Sequence, residues 1–249
     1  PAVRSAAAGY GGQRRLNAPS GSAPEHGDAG ATSTAQVALF DLDGTLTRRD
    51  TLTQYVAGFL RRHPWRALRL PLAFPALLRF VLGRSDRGRL KASLLRSVLG
   101  DLTRADLESW TQAFVARVAE RGVFQEARDA LTRHRERGDT LALLSASPDL
   151  YVPALGAALG IADVTCTGLA WRDERLSGGL TTPNRRGMEK VRCLEALRQR
   201  YPGRAVVAYG NAASDLPHLG LADTGVLVNG DRRARAAAAG LNISTVSWR

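Results

Sequence analysis

A chain of 249 residues can hold one large domain or a core with a smaller insert, and 44% hydrophobic residues can bury such a core. Its formal charge of +12 is uneven, because residues 48–100 hold eleven arginines and Lys91 against Asp50 and Asp86 alone. Two cysteines, Cys166 and Cys193, argue against a disulfide framework or a zinc site and for a reducing, cytoplasmic setting, while no apolar run is long enough to span a bilayer or to serve as a signal core.

In chain order, residues 1–35 are rich in Ala, Gly, Ser and Pro, lack periodicity, and read as a disordered tail. Val37-Ala-Leu-Phe40 is a short apolar run that suits a strand buried on both faces. It stops at Asp41, with Asp43 and Gly44 following, so two carboxylates stand where a strand opens into a turn. In open α/β sheets the carboxyl ends of strands are where ligands bind. Two acids there can collect a divalent cation, and one can attack an electrophile. Taken alone, an Asp-x-Asp is more often an acidic turn.

Residues 48–137 read as helical throughout. Apolar spacing of three and four predicts helices over Thr51–Leu60, Trp65–Leu82, Leu90–Leu99, Arg104–Arg121 and Phe124–Arg137, with breaks at His63-Pro64, Gly83, Gly100-Asp101, Gly122 and Gly138. From residue 140 strand and helix alternate. Thr140–Leu144, Asp163–Thr167, Ala205–Tyr209, Val226–Val228 and Ile243–Val246 read as strands. Helices are predicted near Leu150–Leu159 and over Val191–Arg200, Leu216–Leu221 and Arg232–Ala239, and Trp171–Ser177 with Gly178–Thr182 as a hairpin. The fold class is α/β: a parallel sheet flanked by helices, formed by residues 36–47 and 138–249, with 48–137 as an all-helical cap inserted after the first strand.

Three further stretches carry chemistry. Leu141-Ala-Leu-Leu144 runs into Ser145-Ala146-Ser147, a strand ending in a hydroxyl that can donate to a phosphoryl oxygen, as can the Ala146 amide. Ser147 and Asp149 are helix-cap candidates. Gly187-Met-Glu-Lys190 holds one of only two lysines among thirty-five basic residues, which suggests that a compact ammonium is required there. The other, Lys91, reads as a helix-surface lysine. Tyr209-Gly-Asn-Ala-Ala-Ser-Asp215 places an amide and an acid after another strand.

With these residues in place, Asp41-Leu-Asp-Gly-Thr-Leu-Thr47 resembles the first motif of the haloacid dehalogenase-like (HAD) phosphatases, and Ser145, Lys190 and Asn211–Asp215 follow in that family's order. The resemblance spans roughly residues 36–230 and implies a Rossmann-like core and a Mg²⁺-dependent phosphomonoester hydrolase. Asp41 would be the nucleophile, Asp43 the general acid and base, and Lys190 the bridging cation. Leu42, Asp43, Thr45, Ser145, Ala146 and Lys190 would hold the phosphate, and Asp41, Asp43, Asn211 and Asp215 the metal. One departure stands out: the family has an acid where this chain has Asn211, which removes one charge from the metal site.

Residues 61–82 mix Trp, Phe and Leu with five arginines, and Pro71 and Pro75 interrupt them. That suits a segment lying in an anionic membrane interface at least as well as an ordinary cap helix. SASPDLYV, PNRRGMEKVRCL and GNAASDLPHL most resemble the phosphoserine-phosphatase-like branch and, within it, the group that includes phosphatidylglycerophosphatase C. A phospholipid phosphate is therefore the leading substrate, with the chain peripheral at the inner membrane face. A small soluble monoester such as phosphoserine is the second reading, and a binding protein disabled by Asn211 the third. No nucleic-acid partner is predicted, since aliphatic residues separate the arginines. His63, His134, His218, Trp171 and the Arg185-Arg186 pair read as packing or solvated residues.

Overall fold

The computed structural model describes residues 35–249, and residues 1–34, nearly all of the stretch read as a tail, lie outside that range. Six parallel strands form the main sheet in the order β3-β2-β1-β6-β7-β8. They are β1 (Val37–Phe40), β2 (Thr140–Pro148), β3 (Asp163–Thr167), β6 (Val206–Gly210), β7 (Thr224–Val228) and β8 (Ile243–Val246). The central strand is buried on both faces, as its unbroken apolar run predicts. Ala38 and Phe40 enter one apolar cluster with Leu131 and Leu141, and Val37 and Leu39 enter a second with Leu194 and Leu219. Phe40 pairs with Leu143 on one side and Tyr209 on the other, so the ends of β1, β2 and β6 fall on one edge.

Between β1 and β2 lie α1 (Thr51–Arg62), a 3₁₀ segment (Pro64–Ala73), α2 (Phe74–Val81), α3 (Arg87–Leu99), α4 (Arg104–Arg117), a π turn (Val118–Gly122) and α5 (Gln125–Glu136). The spacing predicts one helix over Trp65–Leu82, whereas the structure breaks it into a 3₁₀ segment and α2. Pro64 and Pro71 explain the first piece, since Pro71 lacks the amide an α-helix would use. Likewise Arg104–Arg121 ends in a π turn, after which the Gly122 carbonyl accepts the Arg48 amide at 2.9 Å.

The extent of the inserted segment needs two corrections. First, α5 is a core helix. Its Ala127, Ala130 and Leu131 pack with Phe40, and His134 shares hydrogen bonds with Asp139 (2.7 Å) and with Tyr209 of β6 (2.9 Å). Second, the cap is not purely helical. The hairpin of β4 (Leu169–Arg172) and β5 (Arg175–Leu180) turns at Asp173-Glu174, both with positive φ, and lies on α3, and its Leu176 amide donates to Leu102 O, just past that helix, at 3.0 Å. The chain continues through α6 (Val152–Ala158), α7 (Met188–Arg200), α8 (Leu216–Leu221) and α9 (Arg232–Ala238).

Residues Pro64–Leu82 form an inverted amphipath. Arg66 donates to Val98 O (2.9 Å) and Arg69 to Gly100 O (3.2 Å), which satisfies carbonyls at the C-terminal end of α3. With the guanidinium groups turned inward, the apolar side chains face out: Trp65 is 62% exposed, Leu68 82% and Val81 71%. Leu72, Phe74, Leu77, Leu78 and Leu82 are exposed as well, so eight of the twelve large exposed hydrophobics among the described residues lie in this one segment. No described helix is long and apolar enough to cross a membrane.

Candidate active site

The strand ends place the acids. Asp41 follows β1, and its Oδ1 accepts from Lys190 Nζ at 2.6 Å while Oδ2 accepts from Thr45 Oγ1 at 3.2 Å. Lys190 enters from α7 and also donates to Asp215 Oδ1 at 2.8 Å. The second Asp215 oxygen accepts the amides of Asn211 (3.2 Å) and Ala212 (3.0 Å), so one carboxylate fixes both the lysine and the turn after β6. Asp41, Lys190 and Asp215 are all buried.

Asp43 points elsewhere. Its Oδ1 accepts the Thr51 amide at the start of α1, and its Oδ2 accepts Ser147 Oγ, both at 2.6 Å. The carboxylate is thereby held between the start of α1 and the end of β2, with both oxygens occupied by protein donors. Gly44 makes the turn possible: its φ is +79°, and a Cβ there would lie 2.0 Å from Asn211 Nδ2.

Asp41, Asp43, Ala146, Lys190, Asn211 and Asp215 meet on the wall of one cavity of about 210 Å³. The remaining predicted residues stand behind that wall. Leu42 and Thr45 are fully buried, and Ser145 Oγ accepts the Ser147 amide at 3.0 Å, which shapes the Ala146–Ser147 wall.

Burial pushes the Asp41 carboxyl up to about 7; the Lys190 charge opposes the rise, and Asp215 and Asp43 add to it. Burial likewise raises Asp43, opposed by the Ser147 hydroxyl and Thr51. Asp41 and Asp215 share the Lys190 ammonium, and the oxygens of this group with the Asn211 carbonyl are candidate donors to a divalent cation. The donors are oxygens only, which suits a hard cation that keeps several waters. Among the described residues no three His, Cys, Asp or Glu side chains form a metal cluster.

Sequence reasoning missed Lys91. It is not on the helix surface: from α3 its Nζ donates to Ala146 O (2.5 Å) and Asn184 Oδ1 (2.8 Å), and it lines the same cavity. Burial, the largest cause, pushes its pKa down to about 8. The signal was available, because the rarity argument that singled out Lys190 applies equally to the chain's one other lysine. Ser147 and Arg186 are on the wall too, whereas Arg185 pairs with Glu189 at 2.5 Å. Trp171 is half-buried beneath Arg104, whose guanidinium stacks 4.2 Å from the ring centroid.

The sequence model of the haloacid dehalogenase-like hydrolases matches residues 38–220. The chain belongs to that family. A curated relative, Protein CicA of Caulobacter vibrioides, is 34% identical to this HAD hydrolase over 190 residues, covering 74% of the chain and 82% of the relative. Among solved structures, a protein of unknown function from Bordetella pertussis Tohama I superposes with a TM-score of 0.71 at 22% identity, covering 86% of this chain and 99% of the other. A phosphoserine phosphatase solved as a phospho-aspartyl intermediate analogue gives 0.59 at 17% identity, covering 85% and 93%. At those identities the structures share the fold.

Proposed function

We propose that this HAD hydrolase is a Mg²⁺-dependent phosphomonoesterase that works through an aspartyl-phosphate on Asp41. Its proposed substrate is a phospholipid phosphate such as phosphatidylglycerophosphate, met with the chain peripheral at the inner face of an anionic membrane. The chemistry rests on one observation above others: a buried Asp41 held by Lys190, with Asp43 two residues on in the same cavity.

In the first half-reaction an Asp41 oxygen attacks phosphorus as the P–O bond to the alcohol breaks, and Asp43 delivers its proton to the leaving oxygen. Burial raises the Asp43 carboxyl from its ordinary value, which favours the protonated form this step needs. In the second, water attacks phosphorus, Asp43 takes the water's proton, and phosphate departs from Asp41. Lys190 and the amides of the Leu42–Asp43 turn and of Ala146 are the proposed holders of the phosphoryl oxygens, with Ser145 positioning the Ala146–Ser147 wall. Such positioning is most of the catalysis in phosphoryl transfer. Asp41, the Asp43 carbonyl and Asn211 would hold Mg²⁺, with Asp215 fixing the Asn211 turn; the ion supplies charge stabilisation on the phosphoryl group.

The lipid reading rests on Pro64–Leu82. An outward apolar face of that size on a small chain marks an interaction surface. The exposed Arg61, Arg62, Arg79 and Arg84 nearby select an anionic one, at about 1 kcal/mol per basic residue near such lipids. Phosphate release from phosphatidylglycerophosphate in mixed micelles, compared with phosphoserine and with Mg²⁺ withheld, tests both halves. Mg²⁺-dependent release favouring the lipid supports the reading. Equal or better turnover of phosphoserine, with no sedimentation on anionic vesicles, removes the lipid half.

A further inference from the structure

The cavity at Asp41 is too small for a whole substrate, and its exit has a distinct chemistry. About 210 Å³ holds a phosphoryl group and little more, yet the cavity shares Arg87, Asn184, Arg186 and Ser214 with an adjoining cleft of about 920 Å³. Whatever alcohol the phosphoryl group is attached to must leave between Arg87, on the cap, and Arg186, on the core loop before α7. Lys91 lies one helical turn beyond Arg87 and lines the cavity just inside that exit.

Three cations thus meet where cap and core come together; Asp43 and Asp50 on the same wall act on Lys91, but among the described residues the two arginines make no ion pair. Neither Arg87 nor Arg186 has a carboxylate within 4.0 Å among the described residues, although their neighbours do: Arg89 lies 3.6 Å from Asp86, and Arg185 lies 2.5 Å from Glu189. At Lys91 burial pushes the pKa down, the Asp43 and Asp50 charges oppose that, and the Arg186 charge adds to it. Like charges left facing one another around a space are stable chiefly when an anion occupies it. The phosphoryl group already has Lys190 on its far side.

We infer that Arg87, Lys91 and Arg186 form a second anion subsite, which takes a phosphodiester carried on the alcohol side of the same substrate molecule. This inference rests on the phosphomonoesterase reading but is independent of membrane docking. A phosphodiester fits better than an amino acid carboxylate, since an α-ammonium beside it would face the same three cations. The cleft also continues past Arg89 and Arg96, room for a chain that runs on beyond the diester.

The test uses water-soluble substrates, so that docking plays no part. Wild-type protein with Mg²⁺ is given glycerophosphoglycerol phosphate, glycerol 3-phosphate and phosphoserine. The diester-bearing substrate should have kcat/KM roughly tenfold or more above glycerol 3-phosphate, the size of one charge-assisted contact. In Arg87→Gln and Arg186→Gln that preference should fall towards unity, chiefly through KM. Equal kcat/KM for the two in wild type, preference for phosphoserine, or a parallel loss on both substrates in the variants overturns the subsite. Absence of turnover on all three would instead count against the phosphomonoesterase reading. Titration calorimetry of glycerophosphoglycerol phosphate into Asp41→Asn then decides the subsite. Binding that weakens in the added Arg87→Gln supports it, and no binding, or binding indifferent to that change, overturns it.

Discussion

At the edge of the sheet, charge is inside and answered: Asp41 and Asp215 each meet Lys190 within 2.8 Å, and amides and hydroxyls take the remaining carboxylate oxygens. Along Pro64–Leu82 Arg66 and Arg69 are also turned inward, but there they cap α3, and the apolar side chains are left in solvent. Both arrangements cost free energy in an isolated water-soluble chain, the first by desolvating ions and the second by exposing hydrocarbon. The first is repaid within the fold. The second is not, and on that difference rests the proposal of chemistry in one region and docking in the other.

Breaking the core side of this contrast should have the largest effect. Lys190→Met leaves two carboxylates buried without their counter-charge, so urea unfolding should show a loss of about 3–5 kcal/mol. Phosphate release should fall on the order of 10²-fold or more. An unchanged stability would mean that the Asp41–Lys190–Asp215 contacts are not a buried ionic cluster. On the cap side, Leu68→Glu with Leu72→Glu should weaken sedimentation on anionic vesicles about a hundredfold, from the loss of two buried leucines. The same pair should leave stability in solution within about 0.5 kcal/mol. A large loss of stability would place those leucines against protein instead.

A third test concerns His218, buried beside the ionic cluster. Burial first, and the Lys190 charge second, push its pKa down to about 4, below the 6.5 of an unfolded chain. As pH falls the unfolded chain takes up that proton first, so the neutral histidine's contribution is intact above about 6.5 and lost on the way down to about 4. The size is on the order of 3 kcal/mol, and His218→Gln should flatten that part of the stability profile. The smallest effect sharpens the metal site. Asn211→Asp restores a charge, and the Mg²⁺ concentration for half-maximal release should drop about tenfold. No change would mean that Asn211 does not face the ion.

Much of this was legible in the sequence, for physical reasons that also mark where legibility stops. The run Val37–Phe40 ending at Asp41 fixes a strand and its functional end, because a strand buried on both faces has no other composition. Asn211 and Asp215 could be placed after β6 by the same logic, and the structure brings Asp41, Lys190 and Asp215 together as the motif order implied. What failed was long-range. Arg66 and Arg69 look like a solvated basic face until α3 is seen to need partners for its last carbonyls. Lys91 looks like a surface lysine until the cap folds it onto Ala146. No local spacing distinguishes α5 as a core helix, since its amphipathic pattern would serve equally on a cap, and the hairpin's attachment to α3 depends on a contact between residues far apart in the chain.

The central claim is that phosphorus is attached to Asp41 during turnover. Acid-quenching the enzyme while it hydrolyses a phosphomonoester with Mg²⁺, then mapping peptides by mass, tests this directly. The account predicts one added phosphoryl group on the peptide holding residues 37–47, located at Asp41, and neither label nor phosphate release in Asp41→Asn. Turnover that persists in Asp41→Asn, or a phosphoryl group found on another residue, would contradict it.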